Sequence, residues 1–446
     1  VPDGRVLIAF ADGPLVAAPT WTRIDDTPNL VAEIEINTGK QTELDVTETG
    51  TAVVRINDTE GLFDPDNTGS PYFGNLDGKQ ILIQLYNPVT ATWFPRFRGI
   101  IDEYGYDLNP ATSGGVSIIS DVQIECVDIM DYLAGVDLIP GVHGNTPPAG
   151  SEGTIFYEDG EVDARIIQVL ADLGIDPDMY VVFSGNVDVQ ESLYDPGDKA
   201  LVALRDAGDA EFPGLANIYV DRFGRFVFHG RGARIDPDGV SAGAGDAAWD
   251  FQRWYAGDGA AIVLDPTRAQ IRPPVQFSRA RNRLINSALC FPKGVTETVI
   301  PTLVFQDATS IAAYGVHSES WSELIVAGHK TNGDTADDQC LKYSTFWVTN
   351  FKDPRTRVQA VTIKAMRPDD PRAAETWRIM TRSDISDILD LEVGVAGGVG
   401  VAGEYFIEGW HQTIRPLNPT HDMVELSLNL SSTADWADPD NVFEGS

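Results

Sequence analysis

Apolar and polar positions alternate through much of the first third of the chain. Gly50-Thr51-Ala52-Val53-Val54-Arg55-Ile56-Asn57 is β-branched with a period of two, as a half-buried strand requires. Runs of the same kind mark strands near 21–24, 30–36, 80–86, 92–106 and 116–127, joined by polar or Gly/Pro turns. The apolar start, Val6 to Ala11, is too short for a signal-peptide core and reads as a first strand. Gly99 inside a strand marks a bulge or a barrel corner. This pattern predicts an antiparallel barrel or sandwich. One connection is far longer than a hairpin needs. It runs from Asp58 through Gly61-Leu62-Phe63-Asp64-Pro65 and Ser70-Pro71-Tyr72-Phe73 to Leu76. Phe63, Tyr72 and Phe73 gain little on such a loop unless a partner, or the chain's own barrel, covers them; they are the candidate interface residues.

The period then changes. After a Gly/Pro-rich stretch at 140–153, Val162, Ile166, Val169, Leu170 and Leu173 fall at helical spacing, with Asp159 placed to cap and Gly174 to stop. A second helix is expected near 199–207, followed by a β-hairpin turning at Arg222-Phe223-Gly224. Beyond residue 281 a strand opens, and Asp307 or Ser310 caps a short helix ending at Gly315. A longer helix over 335–350 puts Ala336, Cys340, Tyr343 and Trp347 on one face, and Pro354 blocks its extension. Strands follow at 357–363, 404–414 and 423–430, with a glycine-rich loop at 394–403.

At 446 residues the chain exceeds one hydrophobic core, and its composition is that of a folded β-rich protein. Asp and Glu number 67 against 32 Lys and Arg, a formal charge of −35 spread without an acidic tail. Phosphate backbones call for clustered cations, and Arg279, Arg281 and Arg283, placed on one face of a strand, are too few. Specific nucleic-acid binding is therefore not expected. Cys126, Cys290 and Cys340 form no CxxC pair and read as buried free thiols. The six histidines show neither HExxH nor a short ligand spacing, and no G-x-S-x-G elbow occurs. The turns Asp64-Pro65-Asp66-Asn67 and Asp236-Pro237-Asp238-Gly239 lack a calcium-loop pattern. Catalytic, cofactor-binding and metal-binding residues are thus all expected to be absent.

Asp58 to Leu76 reads DxxGxFDPxNxxSPYxGNL. That wording resembles the N-terminal region of tail hub (minor tail, baseplate hub) proteins of long-tailed actinobacteriophages. RGxID at Arg98–Asp102 and ECxDxxxxL from Glu125 belong to the same resemblance. So do the hairpin phrase YVDRFGRFVF, Asp307 to Gly315, and YFIEGWHQTI at 405–414. The resemblance implies a β-rich α+β multidomain chain with two tail-tube-like antiparallel β-barrels and an inserted α+β middle domain. Boundaries follow at 1–138, 154–272 and 275–436, with a C-terminal tail at 437–446. It also implies a non-enzymatic homotrimer in the virion's tail tip, assembled in the host cytoplasm. That ring would close the tail tube and meet a distal tail or tube ring protein, the tape measure protein and other minor tail proteins. DNA would pass through a lumen that some of the acidic residues face. A distal tail ring protein is the alternative, and a secreted carbohydrate-binding β protein a more remote one.

Overall fold

The computed structural model describes residues 3–25, 31–42, 45–58, 61–64, 67–72, 76–110, 118–235, 253–259, 271–279, 283–393, 401–418 and 421–436. The first strands are β1 (Gly4–Ala9), β2 (Thr22–Arg23), β3 (Val31–Gly39), β4 (Glu48–Asp58), β5 (Gln80–Asn87), β6 (Thr92–Pro110) and β7 (Ile118–Val127). Their alternation is the one the sequence predicts. Ala52, Val54 and Ile56 of β4 point inward beside Val122, Ile124 and Cys126 of β7 and Ile34 and Ile36 of β3, all buried. Gly99 is a site of close approach instead of a bulge: a Cβ there would lie 2.3 Å from the Val127 carbonyl oxygen. The register shift against β7 falls two residues later, between Ile101 and Glu103.

Helix α1 (Ile129–Gly135) leads into a region of short strands: β8 (Ile155–Tyr157), β9 (Gly160–Glu161), β10 (Tyr180–Val182), β11 (Val187–Val189), β12 (Ser192–Tyr194), β13 (Asn217–Val220) and β14 (Phe226–His229). Its helices are α2 (Val162–Asp172), α3 (Ala200–Glu211) and α4 (Gly232–Ile235). Glu161, not Asp159, occupies the N-cap of α2, and no side chain caps that end. Helix α3 runs past the expected Ala207, since Gly208 and Ala210 pack inward and Pro213 sets the limit.

The remaining strands are β15 (Arg253–Gly259), β16 (Ile271–Ser278), β17 (Ser287–Pro292), β18 (Val304–Gln306), β19 (Ser318–Leu324), β20 (Val326–His329), β21 (Arg357–Lys364), β22 (Ile388–Val393), β23 (Val401–Asn418) and β24 (His421–Ser432). Between them lie α5 (Ala308–Tyr314), α6 (Ala336–Phe351) and α7 (Ala373–Arg382). Asp307 caps α5 through the Ser310 amide, and Gly315 ends it at φ +81°. Thr335 and Asp338 form a capping box on α6. Of the predicted strand carrying Arg279, Arg281 and Arg283, Arg279 follows the end of β16 at Ser278 and Arg283 is buried, while Arg281 lies outside the described residues.

Thirteen strands form one sheet in the order β16–β21–β24–β23–β3–β4–β7–β6–β5–β1–β2, with β22 on the other half of β23 and β15 beside β22. All its pairings are antiparallel except β15–β22. Among the described residues this path closes into no barrel. The two expected strand sets instead share a sheet, because β3 uses its outer edge to pair with β23. One core lies under this sheet. A second gathers α1, α2, α3 and α6 with β17 and the short strands, around Phe212, Tyr343 and Trp347.

Candidate assembly surfaces

The 58–76 loop is built by its own polar side chains. Buried Asp58 accepts hydrogen bonds from the Leu62 (2.9 Å) and Phe63 (2.7 Å) amides. Gly61 turns the chain at φ +66°, and the Asn67 side-chain amide donates to its carbonyl at 2.7 Å. Ser70 Oγ donates to the Leu62 carbonyl and accepts from the Tyr72 amide. The residues that define the sequence signature are therefore the ones that hold the loop's shape. Phe63 is only 2% exposed and sits in the main core. Tyr72 stacks on Phe63 (5.1 Å) and on Phe10 (4.8 Å) and is half-buried. Both rings thus fold back on the chain's own sheet, leaving a part of Tyr72 as the accessible aromatic surface. Phe73 lies outside the described residues, as do Pro65 and Asp66 of one Asp-rich turn and all of the turn at 236–239.

The seam between β3 and β23 joins residues almost a chain length apart. Gly39 pairs with Gly409, and each lacks room for a side chain. A Cβ on Gly39 would lie 2.4 Å from the Glu408 carbonyl oxygen, and one on Gly409 would lie 2.7 Å from the Lys40 and Thr38 carbonyl oxygens. Next to these glycines is a buried ionic cluster. Arg234 binds Glu408 through both terminal nitrogens, at 2.5 and 2.9 Å, and Lys40 approaches the same carboxylate at 3.5 Å. Ser431 Oγ donates to Glu408, and the Arg234 guanidinium lies over the rings of Phe406 and Trp436. Burial opposes the charge on Glu408, but Arg234 and Lys40 outweigh it and hold the carboxyl down at about 2.

A second polar junction fixes the β13–β14 hairpin. Asp221 accepts from the Phe223 (3.0 Å) and Arg225 (2.9 Å) amides, and Asp384 accepts from the Arg222 amide at 2.8 Å. Gly224, at φ +78°, lies against Arg98 of β6, where a Cβ would meet backbone at 2.9 Å. Beneath the hairpin Arg96 donates to Gln412 (2.8 Å) and to the Ser383 carbonyl (2.6 Å) and stacks on Trp410. Burial pushes its guanidinium down to about 9, with Asp384 pulling the other way. Both junctions engage their charges in ion pairs, backbone bonds and ring contacts, which is structural chemistry.

The outer face of β3–β4–β7–β6 is acidic. Glu33 and Glu35 pair with Arg55 and Arg415, while Glu103, Asp121 and Glu125 are exposed. Glu103 stands directly opposite Glu125 in the ladder. Like charges facing each other across a strand pair cost stability, a cost that the Gln123 amide partly offsets by donating to Glu125 at 2.6 Å.

Among the described residues no group of His, Cys, Asp and Glu is placed to hold a metal, and no helix is long and apolar enough to cross a membrane. The three thiols are free and buried, with Cys290 pushed up to about 12 by burial.

No protein-family model and no curated protein matches the sequence. Among solved structures, the chain is similar to the tail protein from Neisseria meningitidis MC58, with a TM-score of 0.53 at 10% identity, covering 97% of this chain and 99% of that one. The fold resembles that of a tail protein. Prophage tail protein gp18 from Listeria monocytogenes EGD-e aligns with a TM-score of 0.44 at 11% identity, over 96% of this chain and 95% of that one. The PdpA–VgrG complex of Francisella aligns with a TM-score of 0.45 at 9% identity, over 97% of this chain and 58% of that one. At such identities the likeness is one of fold, and the Neisseria protein carries it.

Proposed function

We propose that this chain is a non-enzymatic structural protein of a phage tail tip, a hub that closes the distal end of the tail tube. The observation that carries the reading is the end-to-end fold likeness to a tail protein, 97% of one chain on 99% of the other. The actinobacteriophage-like loop wording, whose residues hold the 58–76 turn together, supports the narrower assignment. Three copies form the ring, each contributing the two strand sets that its sheet unites as two tube-like units, with the middle region between them. The partners are a distal tail or tube ring protein, the tape measure protein and other minor tail proteins, met in the virion after assembly in the host cytoplasm. Tyr72 and the polar rim of its loop form part of one such contact.

The acidic face of β3–β4–β7–β6 lines the channel in this reading. Opposed Glu103 and Glu125 give it a function that outweighs their mutual repulsion: DNA passes without adsorbing. Deleting residues 66–70 tests the loop. Tails that assemble and infect normally after that deletion would remove it from the interface. Native mass spectrometry tests the ring, where three copies support the hub and six would favour a distal tail ring.

A further inference from the structure

Of the strands that end the main sheet, β16 and β2 are blunted against further pairing, and β15 lies beside β22. β16 at one end carries Pro273 and Pro274, and β2 at the other is two residues long. Strand β19 differs. It is the outer strand of the β18–β17–β19 sheet, seven residues long, and runs parallel to β17 with Ser318 opposite Ser287 and Ser320 opposite Leu289. The His317 carbonyl accepts from the Ser287 amide at 3.1 Å, which fixes the side of the strand that bonds inward. N–H and C=O of one residue share a side, and the side alternates along a strand. Those of Ser318 and Ser320 therefore point away from β17, toward an edge that no strand pairs among the described residues. Ser318, Glu319, Ser320, Ser322 and Glu323 are exposed, and Trp321 anchors the strand by stacking on Trp347 at 5.3 Å.

Two features indicate what the edge accepts. Tyr314 and Val316, immediately before it, leave 36% and 64% of their surface exposed, an apolar ledge at the start of the strand. Glu319 and Glu323 are both exposed, Glu323 at an irregularity where φ is +58°, so an incoming strand meets negative charge at two points along β19. We propose that β19 receives an extended, Lys- or Arg-bearing segment of a partner protein as an added strand. The main-chain groups of Ser318 and Ser320 supply the hydrogen bonds, and Glu319 and Glu323 select positive charge.

Binding of a short fluorescent peptide alternating lysine with valine and threonine to the full chain, read by anisotropy, tests the assignment. Its glutamate counterpart serves as the control. The lysine peptide should bind saturably, more weakly at high salt, and the glutamate peptide should not. Ser320→Pro, which removes an outward N–H, should weaken binding by about tenfold or more. The double variant Glu319→Lys/Glu323→Lys leaves the backbone intact and should reverse the preference between the two peptides. Absence of saturable binding, equal binding by Ser320→Pro, or indifference to the charge reversal would overturn the proposal. So would a dimer of the chain alone that Ser320→Pro dissolves, since the occupant would then be a second copy.

Discussion

Gly39 and Gly409 meet at the one pairing that joins the two strand sets, and neither position accepts a methyl group without moving backbone. At φ +85°, Gly39 is also in a region that alanine occupies only under strain. Gly39→Ala should cost on the order of 3 kcal/mol in urea unfolding, from backbone strain and overpacking together. Neighbouring Glu408 gives a test by pH. Its folded value of about 2 lies below the ordinary 4.5, so its contribution is fully present above about pH 4.5. As pH falls through 2 that contribution is lost, an amount of about 3 kcal/mol for such a shift. Glu408→Gln should flatten this part of the stability–pH profile. At neutral pH it should destabilise by roughly 3–5 kcal/mol, because buried Arg234 and Lys40 lose their counter-charge. An unchanged acid limb would contradict the assigned role of Glu408.

Among elements, the long strands of the first third, the β13–β14 hairpin, β21, β23, β24 and most helices were legible because their faces are buried on one side. The β4 alternation and the Cys340–Tyr343–Trp347 stripe of α6 are such cases. The short strands β8–β12, β18 and β20 carry too few residues to show a period. Helix α7 was not foreseen: its short amphipathic run, Ala373 to Arg382, follows a Pro- and Asp-rich stretch that reads as turn. The β3–β23 pairing, the parallel β17–β19 pair and the cluster around Glu408 bring together residues distant in sequence, and no local period encodes them. For the 58–76 loop the sequence posed the question without answering it. The three rings mark something covered, but burial of Phe63 in the chain's own core depends on the path set by Asp58, Asn67 and Ser70. Asp58→Ala should free the Leu62 and Phe63 amides and destabilise by about 1–3 kcal/mol, with faster hydrogen exchange confined to the loop. On the sheet's outer face, Glu125→Gln should be neutral or stabilising by a few tenths of a kcal/mol, as relief of its opposition to Glu103 requires. A clear loss of stability there would mean that the pair is held by contacts other than repulsion.

For the molecule as a whole, the united sheet joins two strand sets in one chain, and the proposed ring of three copies would carry a formal charge of −105, three times −35. Such a charge would favour passage of DNA over adsorption and make assembly of the proposed ring dependent on salt. The hub reading stands or falls on where the chain sits in a virion. Negative-stain imaging of purified virions labelled with an antibody to this chain measures that directly. Label confined to the tail tip is the expected result; label along the tail shaft, on the capsid, or on no virion would contradict the hub assignment.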